Sequence, residues 1–116
     1  MKRIIMLATV ATAAAALAAN AGAATPKLTA SVSDPVNISL KQGTKKVKSL
    51  KAGKYTIVVK DTASDHNFHL TGPGVNKSTS VGGKGTTTWK VTLKKGTYKF
   101  KCDPHASFMK GSFTVK

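Results

Sequence analysis

The sequence has very few acidic residues, a single cysteine and no arginine beyond position 3. Four aspartates stand against 19 lysines and arginines, which gives a formal net charge of +15. Such an excess raises the question of nucleic-acid binding. However, the lysines are spread along the chain, and few aromatic residues lie between them. Arginine forks that read base edges and aromatic platforms that stack on bases are therefore lacking, and we expect no nucleic-acid partner.

The N-terminal segment has the layout of a secretory signal. Two basic residues precede an uncharged apolar run over positions 4–19, and the best match to an A-x-A cleavage pattern ends at Ala23. We therefore predict a signal peptide over residues 1–23 and an exported domain over residues 24–116. A retained anchor helix is the alternative, but the run is shorter than the roughly 20 residues that span a bilayer. We expect an exported protein in the periplasm or at another extracytoplasmic location such as the cell surface. We also expect no membrane span after cleavage and a formal charge of 15 − 2 = +13.

The remaining chain consists of short runs in which apolar and polar residues alternate, separated by Gly, Pro, Asn and Asp. A period of two predicts strands with one face buried against a core, and no segment shows the 3.6-residue period of a helix. Several such strands at regular spacing predict an all-β sandwich or barrel. Besides a weaker alternation over 28–32, the predicted inward-facing residues are Val36, Ile38, Leu40, Tyr55, Ile57, Val59, Trp89, Val91, Leu93, Tyr98, Phe100, Cys102, Phe113 and Val115.

One loop gathers residue types that bind soft metal ions. Cys102 ends an inward-facing strand, His105 follows after a turn that contains Pro104, and Met109 precedes the final strand. Thiolate and thioether sulfur select soft metals, and imidazole suits copper or zinc. A lone buried Cys is often only a small hydrophobic residue, and Met109 alone would fit an ordinary core. An unpaired Cys in an exported protein nevertheless calls for an intermolecular bridge, a reactive thiol or a ligand role.

A fourth ligand must come from elsewhere, and the remaining histidines are His66 and His69. If Phe68 and Leu70 face the core from a regular strand, His66 shares their face. His69 would then point to the other side together with Asn67. We therefore predict His66 as the ligand and His69 as a solvent-exposed strand histidine.

These segments resemble the cupredoxins, the family that includes plastocyanin, amicyanin and pseudoazurin. The pair His66-Asn67 and the run Cys102-Asp103-Pro104-His105 match the family's motifs residue by residue, and Met109 matches in role. The number of residues between His105 and Met109 does not point to one subfamily. The resemblance implies a Greek-key β-sandwich with one type 1 (blue) copper per chain, held by His66, Cys102, His105 and Met109. It also implies that Asn67 steadies the ligand loop near the thiolate, beside the turn formed by Pro104.

The function that this resemblance implies is one-electron transfer between redox partners, without enzymatic activity, by a monomer. The lysine surface predicts a protein partner with an acidic docking surface. Two alternatives stay open at the level of sequence. One is a copper-binding or delivery protein that transfers no electrons. The other is a metal-free, cationic β-sandwich that binds anionic polymers, whose function would survive the replacement of Cys102 by Ser.

Overall fold

The computed structural model describes residues 25–116, and the predicted signal peptide lies outside them. The described chain forms ten strands and one short 3-10 helix, Asp103–His105. Within this part of the chain, no helix is long and apolar enough to cross a membrane. The strands are β1 Lys27–Ser33, β2 Asn37–Gln42, β3 Lys45–Lys46, β4 Ser49–Leu50, β5 Gly53–Asp61, β6 His69–Gly72, β7 Val75–Ser78, β8 Gly85–Leu93, β9 Gly96–Lys101 and β10 Lys110–Val115.

The strands form two five-stranded sheets that enclose one core. The first sheet has the order β3-β2-β1-β5-β8, and the second sheet has the order β4-β10-β9-β6-β7. Parallel pairing of β1 with β5 and of β4 with β10 results from crossovers between the sheets. The inward-facing apolar side chains of both sheets join in a single buried cluster. The prediction of an all-β, Greek-key β-sandwich is therefore confirmed.

The alternation seen in the sequence holds along the longer strands. In β5, for example, Ile57 and Val59 are at most 1% exposed, whereas Lys60 is exposed. The prediction was wrong for Val36, which is 48% exposed. Residues 34–36 form a turn before β2 begins, because Pro35 has no N–H for a ladder and the Asn37 side chain donates to the Asp34 carbonyl at 2.9 Å.

The sheet order brings two distant segments together at one end of the sandwich. The loop 102–109 joins the antiparallel neighbours β9 and β10. The segment 62–68 leads from β5 into β6, which pairs with β9 so that His69 lies opposite Lys101. Consequently residues 66–68 lie beside the start of the loop.

The end of β10 nearest to the loop depends on a close approach of two strands. Gly111 lies opposite Phe100, and a Cβ at position 111 would overlap the Phe100 ring. The ring in turn stacks on Phe68, with 5.3 Å between centroids. Glycine at this position therefore lets the core extend up to the segment that carries His66.

Candidate metal centre

The loop after β9 is closed by its own backbone hydrogen bonds. Cys102 N donates to Met109 O at 3.0 Å, His105 N donates to Cys102 O at 3.0 Å, and Met109 N donates to His105 O at 2.8 Å. Pro104 lies in the first turn of the 3-10 helix, where a missing N–H leaves no hydrogen bond unmade. The loop thus fixes the backbone of all three of its predicted ligands.

Three predicted ligand atoms converge at this end of the sandwich. Cys102 Sγ lies 3.6 Å from His66 Nδ1 and 3.5 Å from His105 Nδ1. The two Nδ1 atoms are 3.2 Å apart. The centre of such a triangle is roughly 2 Å from each corner, which is the length of a bond between imidazole nitrogen and a first-row metal ion. Two imidazoles and one thiolate therefore form a preformed site for a single soft or borderline ion.

Met109, the fourth predicted ligand, lies at the other end of the same loop. Its side chain is fully buried. Its backbone N and O bind the two loop residues His105 and Cys102. Met109 and Cys102 both belong to the buried core cluster.

His66 is held in one tautomer by its outer nitrogen. His66 Nε2 lies 2.8 Å from Pro35 O, and a carbonyl can only accept, so Nε2 carries the hydrogen. Carboxylate oxygens of Asp34 and Asp65 lie 3.3 and 3.7 Å from the same nitrogen and favour that arrangement further. The lone pair of Nδ1 is consequently directed at Cys102 and His105, as in metal sites where a second partner orients the ligating histidine.

Asn67 differs from its predicted orientation. It was expected to point away from the core with His69, but it is only 2% exposed. The alternation rule does not apply to it because residues 62–68 are not a regular strand and β6 begins at His69. The Asn67 Oδ1 accepts from Asp103 N at 2.7 Å, and Nδ2 donates to Asp103 Oδ2 at 2.9 Å. A further bond runs from Nδ2 to Thr79 O at 3.1 Å, so Asn67 ties the two ligand-bearing segments together.

His69 lies outside the converging triangle, but it is not the solvent-exposed residue that the sequence predicted. It is 21% exposed. Its Nδ1 lies 2.9 Å from Asp103 Oδ1, and its Nε2 lies 2.7 Å from Asn76 Oδ1. The hydrogen bond to Asp103, followed by that to Asn76, raises the pKa of His69 above its ordinary value. Local periodicity cannot reveal this contact, which depends on the pairing of β6 with β9.

Asp103 is the acceptor shared by these side chains. Burial raises the pKa of Asp103, but the hydrogen bonds from His69 and Asn67 outweigh that effect and lower it overall. The carboxylate therefore stays ionised beside the Cys102 backbone, and it joins the outer face of β6 to the ligand loop.

Two exposed apolar side chains lie near the site. His105 is partly exposed, and its ring centroid lies 5.5 Å from that of Phe108. Phe108 and Val36 are 58% and 48% exposed, and they are the only large exposed hydrophobic residues in the described part of the chain. Val36 follows Pro35, whose carbonyl holds His66. Both exposed residues therefore border the converging ligands.

The chain matches one family model and several solved structures. Residues 3–115 match the family model described as the cupredoxin-like domain. No curated protein matches the chain. A solved structure of reduced rusticyanin at 1.9 Å has a TM-score of 0.59 and 20% identity over 82% of this chain and 81% of that chain. Rusticyanin from Thiobacillus ferrooxidans gives a TM-score of 0.57 and 21% identity over 82% and 79% of the two chains. At these identities the likeness shows a shared fold.

Proposed function

Because this chain belongs to the cupredoxin-like family, we propose that it is an exported one-electron carrier that uses a single type 1 copper. The fold and the His-Cys-His-Met cluster fit one such copper. A related structure is described as that of a copper protein. The observation that carries the proposal is the convergence of Cys102 Sγ and two imidazole Nδ1 atoms to within 3.6 Å of one another.

We assign the ligand roles from the chemistry of the donors. Cys102 would provide the thiolate, and His66 and His105 would complete the strongly bound set. Met109 would supply a weakly bound thioether, a ligand that tunes the potential of such sites. When bound, copper supplies a one-electron couple between Cu(I) and Cu(II).

The remaining residues of the site hold these donors in place. Backbone bonds close the loop, Asn67 joins it to the His66 segment, and Pro35 O fixes the His66 tautomer. Because these three sets of bonds constrain the ligand side chains, their positions should change little when the charge of the bound ion changes. That property favours electron transfer because little has to be rearranged at each step.

The same features speak against a copper-delivery protein. Cys102, His66 and Met109 are at most 1% exposed, so an acceptor would have little access to them. Delivery proteins would also be expected to offer several methionines, whereas Met109 is the only one after residue 6. His105 is the partly exposed ligand, and we propose its edge, beside Phe108 and Val36, as the exit for the electron. A metal-free binding module leaves the convergence of three ligand atoms without an explanation.

Several parts of the proposal rest on the sequence. The signal peptide over residues 1–23 and the domain over residues 24–116 remain predictions, as do the extracytoplasmic location and the monomeric state. The excess of lysine favours a redox partner with an acidic docking surface, and electron transfer should slow as salt increases.

The decisive experiment is to load residues 24–116 with Cu(II) and record visible absorption and electron spin resonance spectra. We expect an intense blue absorption and a narrow copper hyperfine splitting, both lost in Cys102→Ser. His69→Gln is the matched control, because it alters a nearby histidine that we do not assign as a ligand, and it should stay blue. A pale protein with ordinary tetragonal copper signals, unchanged by Cys102→Ser, would refute the type 1 site.

A second measurement separates electron transfer from delivery. The loaded protein is cycled with ascorbate and hexacyanoferrate(III) in the presence of a strong Cu(I) chelator. A carrier should keep its copper and its colour through many cycles. Rapid transfer of copper to the chelator at the first reduction would favour a delivery protein.

A further inference from the structure

Three basic side chains form a row across the outer face of the second sheet. Lys110 of β10 lies opposite Lys101 of β9, and Lys101 lies opposite His69 of β6. Side chains directly opposite each other on neighbouring strands are only about 5 Å apart at Cβ, and like charges in that position are destabilising. Lys99 lies on the same face, two residues before Lys101. We call His69, Lys99, Lys101 and Lys110 the basic face.

Other lysines of the sandwich are arranged differently. On the outer face of the first sheet, Lys54, Lys60 and Lys90 lie opposite Thr92, Thr86 and Thr56. One other opposed pair, Lys41 and Lys46, occurs in the β2–β3 hairpin, at the end of β2 farthest from Pro35. Of the two opposed lysine pairs within residues 25–116, only Lys101 and Lys110 adjoin the ligand loop. Lys101 directly precedes the loop, and Lys110 directly follows it.

The charge of the basic face is only partly compensated. Its ion pairs within the described chain are those of Asp103, which lies 2.9 Å from His69 and 4.0 Å from Lys101. Asp34 and Asp65 lie on the other side of the site, around His66 Nε2, and are 67% and 66% exposed. The ligand end of the molecule thus has a basic side and an acidic side.

The three lysines of the basic face border a groove. A groove of about 420 Å³ is bordered by Lys99, Lys101 and Lys110, with Phe100, Gly111 and Ala106 also lining it. Ala106 directly follows the proposed ligand His105. Ammonium groups beside a partly apolar groove suit the carboxylate side chains of another protein surface, whose methylene groups the groove can cover.

We propose that the basic face docks an acidic segment of the protein with which this chain exchanges electrons. The proposal rests on the proposed function for the nature of the partner. Bound carboxylates would relieve the repulsion between Lys101 and Lys110, while Asp34 and Asp65 would repel the same partner from the opposite side and so set its orientation. Docking there places the partner next to residues that directly adjoin Cys102 and Met109 in the chain.

The test uses isotopically labelled, metal-free residues 24–116 and a hexaglutamate peptide as the probe at low salt, followed by NMR. We expect the largest shifts at the amides of 99–101 and 110–112. The triple variant Lys99→Glu, Lys101→Glu, Lys110→Glu should weaken peptide binding at least about tenfold. The matched control Lys54→Glu, Lys60→Glu, Lys90→Glu changes the net charge by the same amount and should weaken it less than about threefold. Circular dichroism checks that both triple variants are folded.

Equal weakening in the two triple variants, or shifts spread over both sheets, would overturn the proposal. Tighter binding of phosphatidylglycerol vesicles than of the peptide, with dependence on the same three lysines, would also overturn it, since the partner would then be a membrane. The peptide map needs no copper. Failure to form a blue centre would therefore defeat the proposed function and leave the peptide result standing, and a failed map would leave the blue centre standing.

Discussion

The two sheets of the sandwich follow different rules. The first sheet contains the nine-residue strands β5 and β8, whose outward lysines lie opposite threonines. The second sheet is built from strands of at most six residues and borders all four proposed ligands. Its opposed lysine pair, Lys101 and Lys110, adjoins the ligand loop, whereas the opposed pair of the first sheet, Lys41 and Lys46, does not. The departures from simple alternation at Asn67 and Val36 lie near the proposed ligands. The first sheet thus contributes mainly core packing, whereas the second sheet also holds the segments that carry the proposed ligands.

The largest expected effect tests the structural role of the first sheet. Ile57 is fully buried in β5, so Ile57→Ala should lower the free energy of unfolding by about 2–5 kcal/mol. The molecules that still fold should bind copper with an unchanged blue spectrum, because Ile57 is not among the site residues. Denaturant unfolding of the metal-free protein measures the first effect, and absorption per folded molecule measures the second. The neighbouring Thr56→Ala is the control, and an altered spectrum in Ile57→Ala would show that the sheets are not separable in this way.

The corresponding change beside the second sheet is Asn67→Ala, at the metal centre. It removes the bonds to Asp103 N, Asp103 Oδ2 and Thr79 O, and leaves buried polar groups without a partner. We expect a loss of about 2 kcal/mol in the metal-free protein and a copper affinity about 10- to 100-fold lower, as for other residues that orient ligands. Competition with a chelator gives the affinity. Asn76→Ala, which removes only a contact to His69, should leave the affinity nearly unchanged.

The sequence predicted those parts of the molecule in which local pattern decides the structure. Alternation is a consequence of the strand itself, so the buried faces of β5, β8 and β9 could be read directly. The loop from Cys102 to Met109 could also be predicted, because the alternation of the strands on either side marks its ends. Its cysteine, histidine and methionine are residue types that are rare in this chain. His66 was predicted both from its alternation with Phe68 and Leu70 and from the family resemblance. It is buried as predicted, although the strand on which the alternation argument depends begins only at His69.

What could not be predicted depends on contacts between segments distant in the chain. The bonds of Asn67 and His69 to Asp103 span 36 and 34 residues and require the register of β6 against β9. The burial of Asn67 and the exposure of Val36 were missed because both residues lie outside regular strands, where period two has no meaning. The short strand β7 shows hardly any alternation, with only Val75 buried.

Asp61 is a buried ionisable side chain within the first sheet. Its replacement should change the free energy of unfolding by a smaller amount. It ends β5 with its Oδ2 buried and without a hydrogen-bond partner among the described residues, while Oδ1 accepts from Ala63 N. Burial raises the pKa of Asp61 above 3.8. The folded state therefore disfavours the ionised form, and stability is lost as pH rises through the folded pKa. Asp61→Asn removes the charge and should raise the free energy of unfolding at neutral pH by about 1 kcal/mol, with no gain below pH 3.8. A gain that is equal at all pH values would contradict this explanation.

The smallest expected effect concerns the pair formed by His69 and Asp103 in the second sheet. The folded-state pKa of His69 is raised above 6.5, so its contribution is complete below pH 6.5 and is lost as pH rises through the folded value. The pKa of Asp103 is lowered below 3.8, so its contribution is complete above pH 3.8 and is lost as pH falls through the folded value. The pair should therefore stabilise the metal-free protein most between these limits.

His69→Gln tests that window because glutamine can still donate to Asp103 but does not titrate. The difference in unfolding free energy between the original protein and the variant should be about 0.5 kcal/mol near pH 5.5 and should vanish at alkaline pH, since partly exposed pairs are screened by solvent. Lys101 and Asn76, which adjoin the pair, are unchanged in both proteins. A difference that stayed constant from pH 5 to pH 9 would mean that His69 supports β6 by packing alone. In that case the second sheet would lose one of the features that distinguish it from the first.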